Sequence, residues 1–281
     1  MSYIKSFFNT LAYANIIISL GPVAFVYLIT RLLQLPSEPL MFIIAFLIAF
    51  FVYSFNRLTD IKEDIINNPE RAEFFKKRAY LFISIGIIAL ILALFLAILK
   101  SLLVFTIVLL PAIFVTIYSI KWIPQKQKRL KEIFLIKNIL VSLGWFLISL
   151  FVAAYVNIFS IGILIIGLFI FLRIFIGCIM FDVRDIEGDK IHRIYTIPIK
   201  FGIKKTRNII LILNFISFVI LPLFSLSMLT LAVSIVALLF GLLYYFKINK
   251  KIDMKFLCNV VVDGEYVILG LVPFLLSFFG I

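Results

Sequence analysis

Nine apolar stretches, each close to 20 residues long, dominate the sequence. A helix of about 20 residues spans the roughly 30 Å hydrocarbon core of a bilayer. Only helices and closed barrels satisfy every backbone group there, so runs of this length predict membrane-crossing helices. The stretches cover roughly 11–33, 38–56, 79–99, 101–120, 134–156, 159–182, 206–225, 227–246 and 257–279. Tight turns near Lys100 and Ser225–Ser227 join two of the pairs, and the longer polar connections are 57–78, 121–133, 183–205 and 247–256. Composition agrees: of 281 residues, 64% are hydrophobic and 15% charged, with a mean hydropathy of +1.20. The expectation is an all-α membrane protein with nine transmembrane helices around a central cavity, as a single domain over 1–281. The N-terminus lacks a basic region, apolar core and small-residue cleavage site in succession, so no cleaved signal peptide is expected. Cys178 and Cys258 lie in or beside apolar stretches and suggest neither a disulfide framework nor zinc spacing.

The net charge is +13, and its distribution points to the bilayer rather than to nucleic acid. Of 27 Lys and Arg, all but Arg31, Lys100 and Arg173 fall in the N-terminal segment or in the connections after the second, fourth, sixth and eighth stretches. With nine spans these segments share one face. The positive-inside rule places that face, with the N-terminus, in the cytoplasm and the C-terminus on the opposite side. Eight spans would scatter the basic connections over both faces. Arg173 lies inside the sixth stretch, where a charge is costly and seeks a partner or cavity; Glu265 and Asp263 in the ninth are its candidate partners.

Two acidic clusters stand at the ends of the second and sixth stretches: Asn56, Asp60 and Asp64, and then Asp182, Asp185, Glu187 and Asp189. A four-residue spacing on a helix stacks side chains on one face. Carboxylates so placed repel unless positive charge lies between them. Mg²⁺ suits oxygen-only ligands and is held by one or two carboxylates together with substrate phosphate oxygens. Arg57, Lys62, Arg184 and Lys190, interleaved with the acids, would meet the remaining phosphate charge. Any one of these acids is explained as a solvated loop end. Two clusters on one face point instead to a diphosphate clamped at the cytoplasmic side, above an apolar cavity.

The run Asn56-x-x-x-Asp60-x-x-x-Asp64 and the run Asp182-Val-Arg-Asp185-Ile-Glu-Gly-Asp189 resemble the two aspartate-rich motifs of the UbiA superfamily of intramembrane prenyltransferases. The continuation through Thr196, Pro198 and Gly202, and the Tyr118-Ser-Ile-Lys121 run followed by Lys128-Arg129, resemble further segments of that family, as does the nine-span count. The chain departs from the family pattern at Arg57, at Arg193, and at Ala12-Tyr13-Ala14-Asn15; these positions bear on acceptor identity.

The resemblance implies Mg²⁺-dependent transfer of a polyprenyl group from polyprenyl diphosphate to a hydrophobic acceptor, aromatic or lipid-like. Asp60, Asp64, Asp185 and Asp189 would be catalytic. Asn56, Asp60 and Asp64 would hold one metal, and Asp185 and Asp189 the other. Asn56, Arg57, Tyr118, Lys121, Arg129, Arg184 and Lys190 would contact substrate, and Asp182 would join the second metal set or position the acceptor. Tyr53, Tyr118 and Tyr195 stand near this site, where aromatic faces would steady an allylic cation. His192, the one histidine, reads as a solvated loop residue.

Two other classes are open to test. A cation-coupled transporter would also carry intramembrane carboxylates, although such sites usually lie near the midplane on broken spans. A CDP-alcohol phosphotransferase shares spaced aspartates but needs an Asp-Gly-x-x-Ala-Arg run before them, and none precedes Asp60 or Asp185.

Overall fold

The computed structural model describes residues 2–119, 121–123, 128–191, 194–248 and 254–278, with the backbone alone described for Ser2, Lys5, Lys62, 121–123, Lys128 and Lys131. In chain order the helices are α1 (Ser2–Tyr13), α2 (Ile16–Leu32), α3 (Pro39–Thr59), α4 (Ile61–Asn67), α5 (Pro69–Lys76), α6 (Ala79–Lys100) and α7 (Leu102–Ser119). A small antiparallel pair follows, β1 (Lys121–Ile123) and β2 (Lys128–Arg129). Then come α8 (Ile136–Val156), α9 (Ile161–Arg184), α10 (Ile186–Ile191), α11 (Ile197–Phe224), α12 (Met228–Lys247), α13 (Met254–Phe256) and α14 (Asp263–Ser277). A π-helical segment, Leu257–Val262, joins the last two.

Among the described residues, eight helices are long and apolar enough to cross a membrane, and a broken pair makes a ninth. That pair corrects the first predicted stretch. Residues Ser6–Tyr13 and Ile16–Leu32 meet at 74°, so the N-terminal span is a bent pair, not one straight helix over 11–33. The bend sits at Asn15, whose φ of 62° lies in the left-handed region, which asparagine tolerates better than most residues. A second adjustment concerns α11, which starts nine residues before the predicted 206 and carries a break at Gly202, φ 75°. Position 202 needs glycine for this backbone.

The spans close into a ring. The packed neighbours are α2 with α3, α3 with α6, α6 with α7, α7 with α8, α8 with α9, α9 with α11, α11 with α12, α12 with α14, and α14 with α2. The α3–α6 contact shows why. Along α6 the buried positions are Phe82, Gly86, Ala89, Ala93 and Ala97, while Ile88, Ile91, Phe95 and Leu99 are exposed. Small residues let two backbones approach, and the large apolar ones face a solvent as apolar as they are. The chain is an integral membrane protein whose exposed Ile, Leu and Phe are the lipid-facing surface.

One buried polar network ties the far side of the ring. Arg173 on α9 pairs with Glu265 on α14 (Nη2 to Oε1 2.5 Å, Nε to Oε1 2.7 Å). It also donates to Asn214 Oδ1 at 2.6 Å and Ser217 Oγ at 3.2 Å on α11, and the Tyr244 hydroxyl on α12 donates to Glu265 Oε2 at 2.5 Å. Of the two expected partners for Arg173, the structure selects Glu265. Asp263 points elsewhere.

Candidate active site

The motif residues Asn56 to Asp64 straddle a junction. Helix α3 ends at Thr59, Asp60 caps it, and α4 begins at Ile61. The helical bonding nevertheless runs through, with Asp60 N–H to Asn56 O at 3.1 Å and Asp64 N–H to Asp60 O at 2.9 Å. The second cluster repeats this pattern across the α9–α10 junction, with Asp185 N–H to Phe181 O at 3.0 Å and Asp189 N–H to Asp185 O at 2.9 Å. Helix α10 packs on α4, which brings the two clusters together. Gly188 allows that approach: a Cβ there would lie 2.1 Å from Asn67 Oδ1.

The result is one polar chamber of about 160 Å³ whose walls include Asn56, Arg57, Asp60, Asp64, Tyr118, Arg184, Asp185 and Asp189. These are eight of the residues the sequence singles out. A second, apolar cavity of about 100 Å³ lies between α3, α7 and α8. Tyr53, Asn56, Tyr118, Val141 and Trp145 line both, so polar head and apolar tail spaces share a wall. From Asn56 to Ile44 on α3 the cavity wall runs twelve residues, or about 18 Å at 1.5 Å per residue.

Four other expected site residues stand apart. Asp182 does not line the chamber; its carboxylate takes hydrogen bonds from Lys137 at 2.9 Å and Asn138 at 2.8 Å on α8. Arg129 reaches the outer rim, where it pairs with Glu63, with Glu132 at 2.9 Å, and lies 3.9 Å from Asp60. Lys190 on α10 and Tyr195 in the connection after it are exposed and do not line the chamber. The side chain of Lys121, together with His192 and Arg193, lies outside the described residues.

Guanidinium groups neutralise the acids. Arg71 on α5 grips Asp64 with both prongs, Nη2 to Oδ1 at 2.5 Å and Nε to Oδ2 at 3.1 Å. Arg184 does the same for Asp185, both bonds 2.7 Å. Asn259, in the π-helical segment, accepts from both arginines, at 3.3 Å and 2.9 Å. Burial would raise the Asp185 carboxyl, but the charge of Arg184 beside it prevails and holds it below the usual carboxylate range. Among the described residues Asp189 has no such partner. Burial pushes it up to about 7, against Lys137 and helped by Asp182 and Asp185, and its buried Oδ2 has no hydrogen bond.

The chamber floor is aromatic. Trp145 donates to the Tyr53 hydroxyl at 2.7 Å and packs on Tyr266, ring centroids 5.0 Å apart. The Tyr118 hydroxyl donates to Asn56 Oδ1. Arg57, one of the departures from the family pattern, donates to Asn15 Oδ1 at 3.3 Å, and Asn15 donates to Ser54 at 3.3 Å. The departure at Arg57 is thus coupled to the departure at Asn15, and together they fix the α1–α2 bend. Sequence reasoning missed Arg71, Tyr266 and Trp145, and left Asp263 between cavity lining and a pair with Arg173; all four line the chamber. A polar break inside an apolar stretch was the one signal for Asp263.

An oxygen-only donor set suits a hard divalent cation. Among the described residues no three acidic, His or Cys side chains converge into a cation site by themselves, so a cation here would share its shell with substrate oxygens. The unpartnered Oδ2 of Asp189 is a free donor for that purpose.

The UbiA prenyltransferase family model matches residues 18–255. No curated protein sequence matches the chain. Among solved structures, the apo form of a UbiA homologue from Aeropyrum pernix K1 is 14% identical, covering 92% of this chain and 98% of its own, with a TM-score of 0.66. A UbiA homologue from Archaeoglobus fulgidus bound to DMAPP and Mg²⁺ is 18% identical over 95% of this chain and 96% of its own, TM-score 0.61. A structure concerned with digeranylgeranylglyceryl phosphate synthase in membranes is 22% identical over 96% and 97%, TM-score 0.56. These likenesses show a shared fold.

Proposed function

Because the chain belongs to the UbiA prenyltransferase family, we propose that it transfers a polyprenyl group from its diphosphate to a hydrophobic acceptor, aromatic or lipid-like, within the membrane. The observation that carries this is the joining of both acidic clusters in one chamber that shares a wall with an apolar cavity. The diphosphate sits in the chamber and the prenyl tail in the cavity between α3, α7 and α8. All of 1–281 acts as one domain. The connections after the second and sixth spans, rich in Lys and Arg, adjoin the two acidic clusters that line the chamber, so the positive-inside bias would put the chamber mouth and the N-terminus in the cytoplasm and the C-terminus on the other side.

Asn56, Asp60 and Asp64 would hold one Mg²⁺, and Asp185 and Asp189 the other. The cation supplies charge to the leaving diphosphate as its C–O bond breaks. The chain's own groups do the rest. Asp64 is paired with Arg71 and Asp185 with Arg184; with the acids holding a cation, the two guanidinium groups would meet phosphate oxygens, so that no buried charge would be left alone. Tyr118 orients Asn56, and Arg57 adds a further positive charge at the chamber wall. The faces of Tyr53, Trp145 and Tyr266 steady the allylic cation and keep water from it. Arg129 braces the rim through Glu63. The test is incubation of purified protein with radiolabelled geranylgeranyl diphosphate, Mg²⁺ and a lipid extract; a prenylated product is expected, and donor taken up into vesicles without covalent change would contradict the assignment.

Tail length is set by the cavity. Gly144 lines it, and a Cβ there would meet nothing within 4 Å. Gly144→Phe fills the space without moving backbone. The expected result is a fall of about tenfold or more in kcat/KM for geranylgeranyl diphosphate with dimethylallyl diphosphate little affected, read from competing donors, as a burial of several CH₂ groups is lost. Equal losses for both donors would remove the cavity from the account.

A further inference from the structure

Asp263 is the acid in the chamber that the diphosphate site leaves unexplained. It is 3% exposed and lines the chamber but not the apolar cavity. Among the described residues it has no hydrogen-bond or ion-pair partner, and its Oδ1 is buried and unpartnered. A carboxylate in that state costs free energy unless a ligand supplies a donor. It is also placed there by special geometry. Asp263 ends the π-helical segment Leu257–Val262, and such segments shift side chains out of α register, often at functional sites. The same segment supplies Asn259, which holds Arg71 and Arg184.

Its position separates it from the donor's tail. Helix α14 packs on α2 and α12, whereas the tail cavity lies between α3, α7 and α8. The charged groups facing Asp263 are Arg57, Arg184 and Arg71; the titratable groups that sense it are Tyr53, Cys178, Cys258 and Tyr266. An ammonium ligand would meet three guanidinium groups, so the matching donor is a neutral hydroxyl.

We propose that Asp263 receives the acceptor, and that the acceptor is a hydroxyl compound prenylated on oxygen. This rests on the prenyltransferase assignment above. The allylic C–O bond to diphosphate breaks, the diphosphate leaves with the electron pair, the acceptor's hydroxyl oxygen bonds to the allylic carbon, and its proton passes to the Asp263 carboxylate. The product is an ether.

The test uses the full-length protein in nanodiscs with radiolabelled geranylgeranyl diphosphate, Mg²⁺ and total lipid extract of the source cells. The wild type is expected to form a labelled ether. Asp263→Asn is expected to lose that product by about 10²-fold or more. Donor binding by the variant is measured in the same preparation without lipid extract, and a loss of transfer much larger than any loss of donor affinity is the expected split. Asp263→Ala, which leaves no unpaired polar group, should show the same pattern. Ether formation at the wild-type rate in a folded variant overturns the proposal. So does a wild-type product labelled on ring carbon, and so does loss of donor binding together with transfer, which would place Asp263 in the diphosphate site. A wild type that binds donor yet prenylates nothing defeats the transferase assignment itself, and this inference with it.

Discussion

Asp60→Ala is expected to lower prenyl transfer by about 10²–10³-fold, the cost of removing one group that stabilises charge in a transition state, while the protein still folds. Asp60 is the cleanest acid to remove. It caps α3 at the junction with α4, and the helical bonds through it are made by backbone atoms. Its side chain is partly exposed to the chamber, accepts from the Thr59 hydroxyl at 3.2 Å and lies 3.9 Å from Arg129. Removing it takes away charge rather than packing. Asp64→Ala is a poorer probe, since it would strand Arg71, which is 2% exposed, and a buried charge left alone destabilises the fold. The check is initial rate against thermal midpoint in the same preparation. Activity within a few-fold of wild type would separate the first cluster from the chemistry.

The second large effect concerns stability. Glu265→Leu should cost about 3–5 kcal/mol, the usual result of breaking a buried ion pair from one side. Arg173 is fully buried and its partner nearly so, and the network spans α9, α11, α12 and α14. Arg173→Met combined with Glu265→Leu should recover part of the loss, since neither charge is then stranded. Recovery is partial because Asn214 and Tyr244 each lose a partner. None of these residues lines the chamber or the cavity, so donor affinity of the folded double variant should match wild type. Midpoints of thermal unfolding in detergent measure the first effect and donor titration the second. A single variant as stable as wild type would show that the pair does not hold the ring.

The spans and the two acidic clusters were legible because each is written locally. Apolar length reports a membrane helix directly, and the four-residue spacing survived a helix junction because the i to i+4 backbone bonds run through Asp60 and Asp185. What was not legible depends on residues far apart in sequence. Arg71 and Arg184 share Asn259 across 188 and 75 residues; nothing near Arg71 marks it as more than another basic loop residue. Asp182 sits one turn from Asp185 yet faces α8 and Lys137, a choice made by helix rotation and not by spacing. The bend in the first span was not legible because apolar content runs through Asn15, where a left-handed residue turns the chain.

The central claim is that the two clusters form one cation-dependent diphosphate site. Equilibrium binding of geranylgeranyl diphosphate, with Mg²⁺ and then with excess chelator, tests it most directly in wild type, Asp60→Ala and Asp185→Ala. Tight binding by wild type only with Mg²⁺, weakened by either substitution alone, is the predicted result. Binding that ignores the chelator and both substitutions would contradict it.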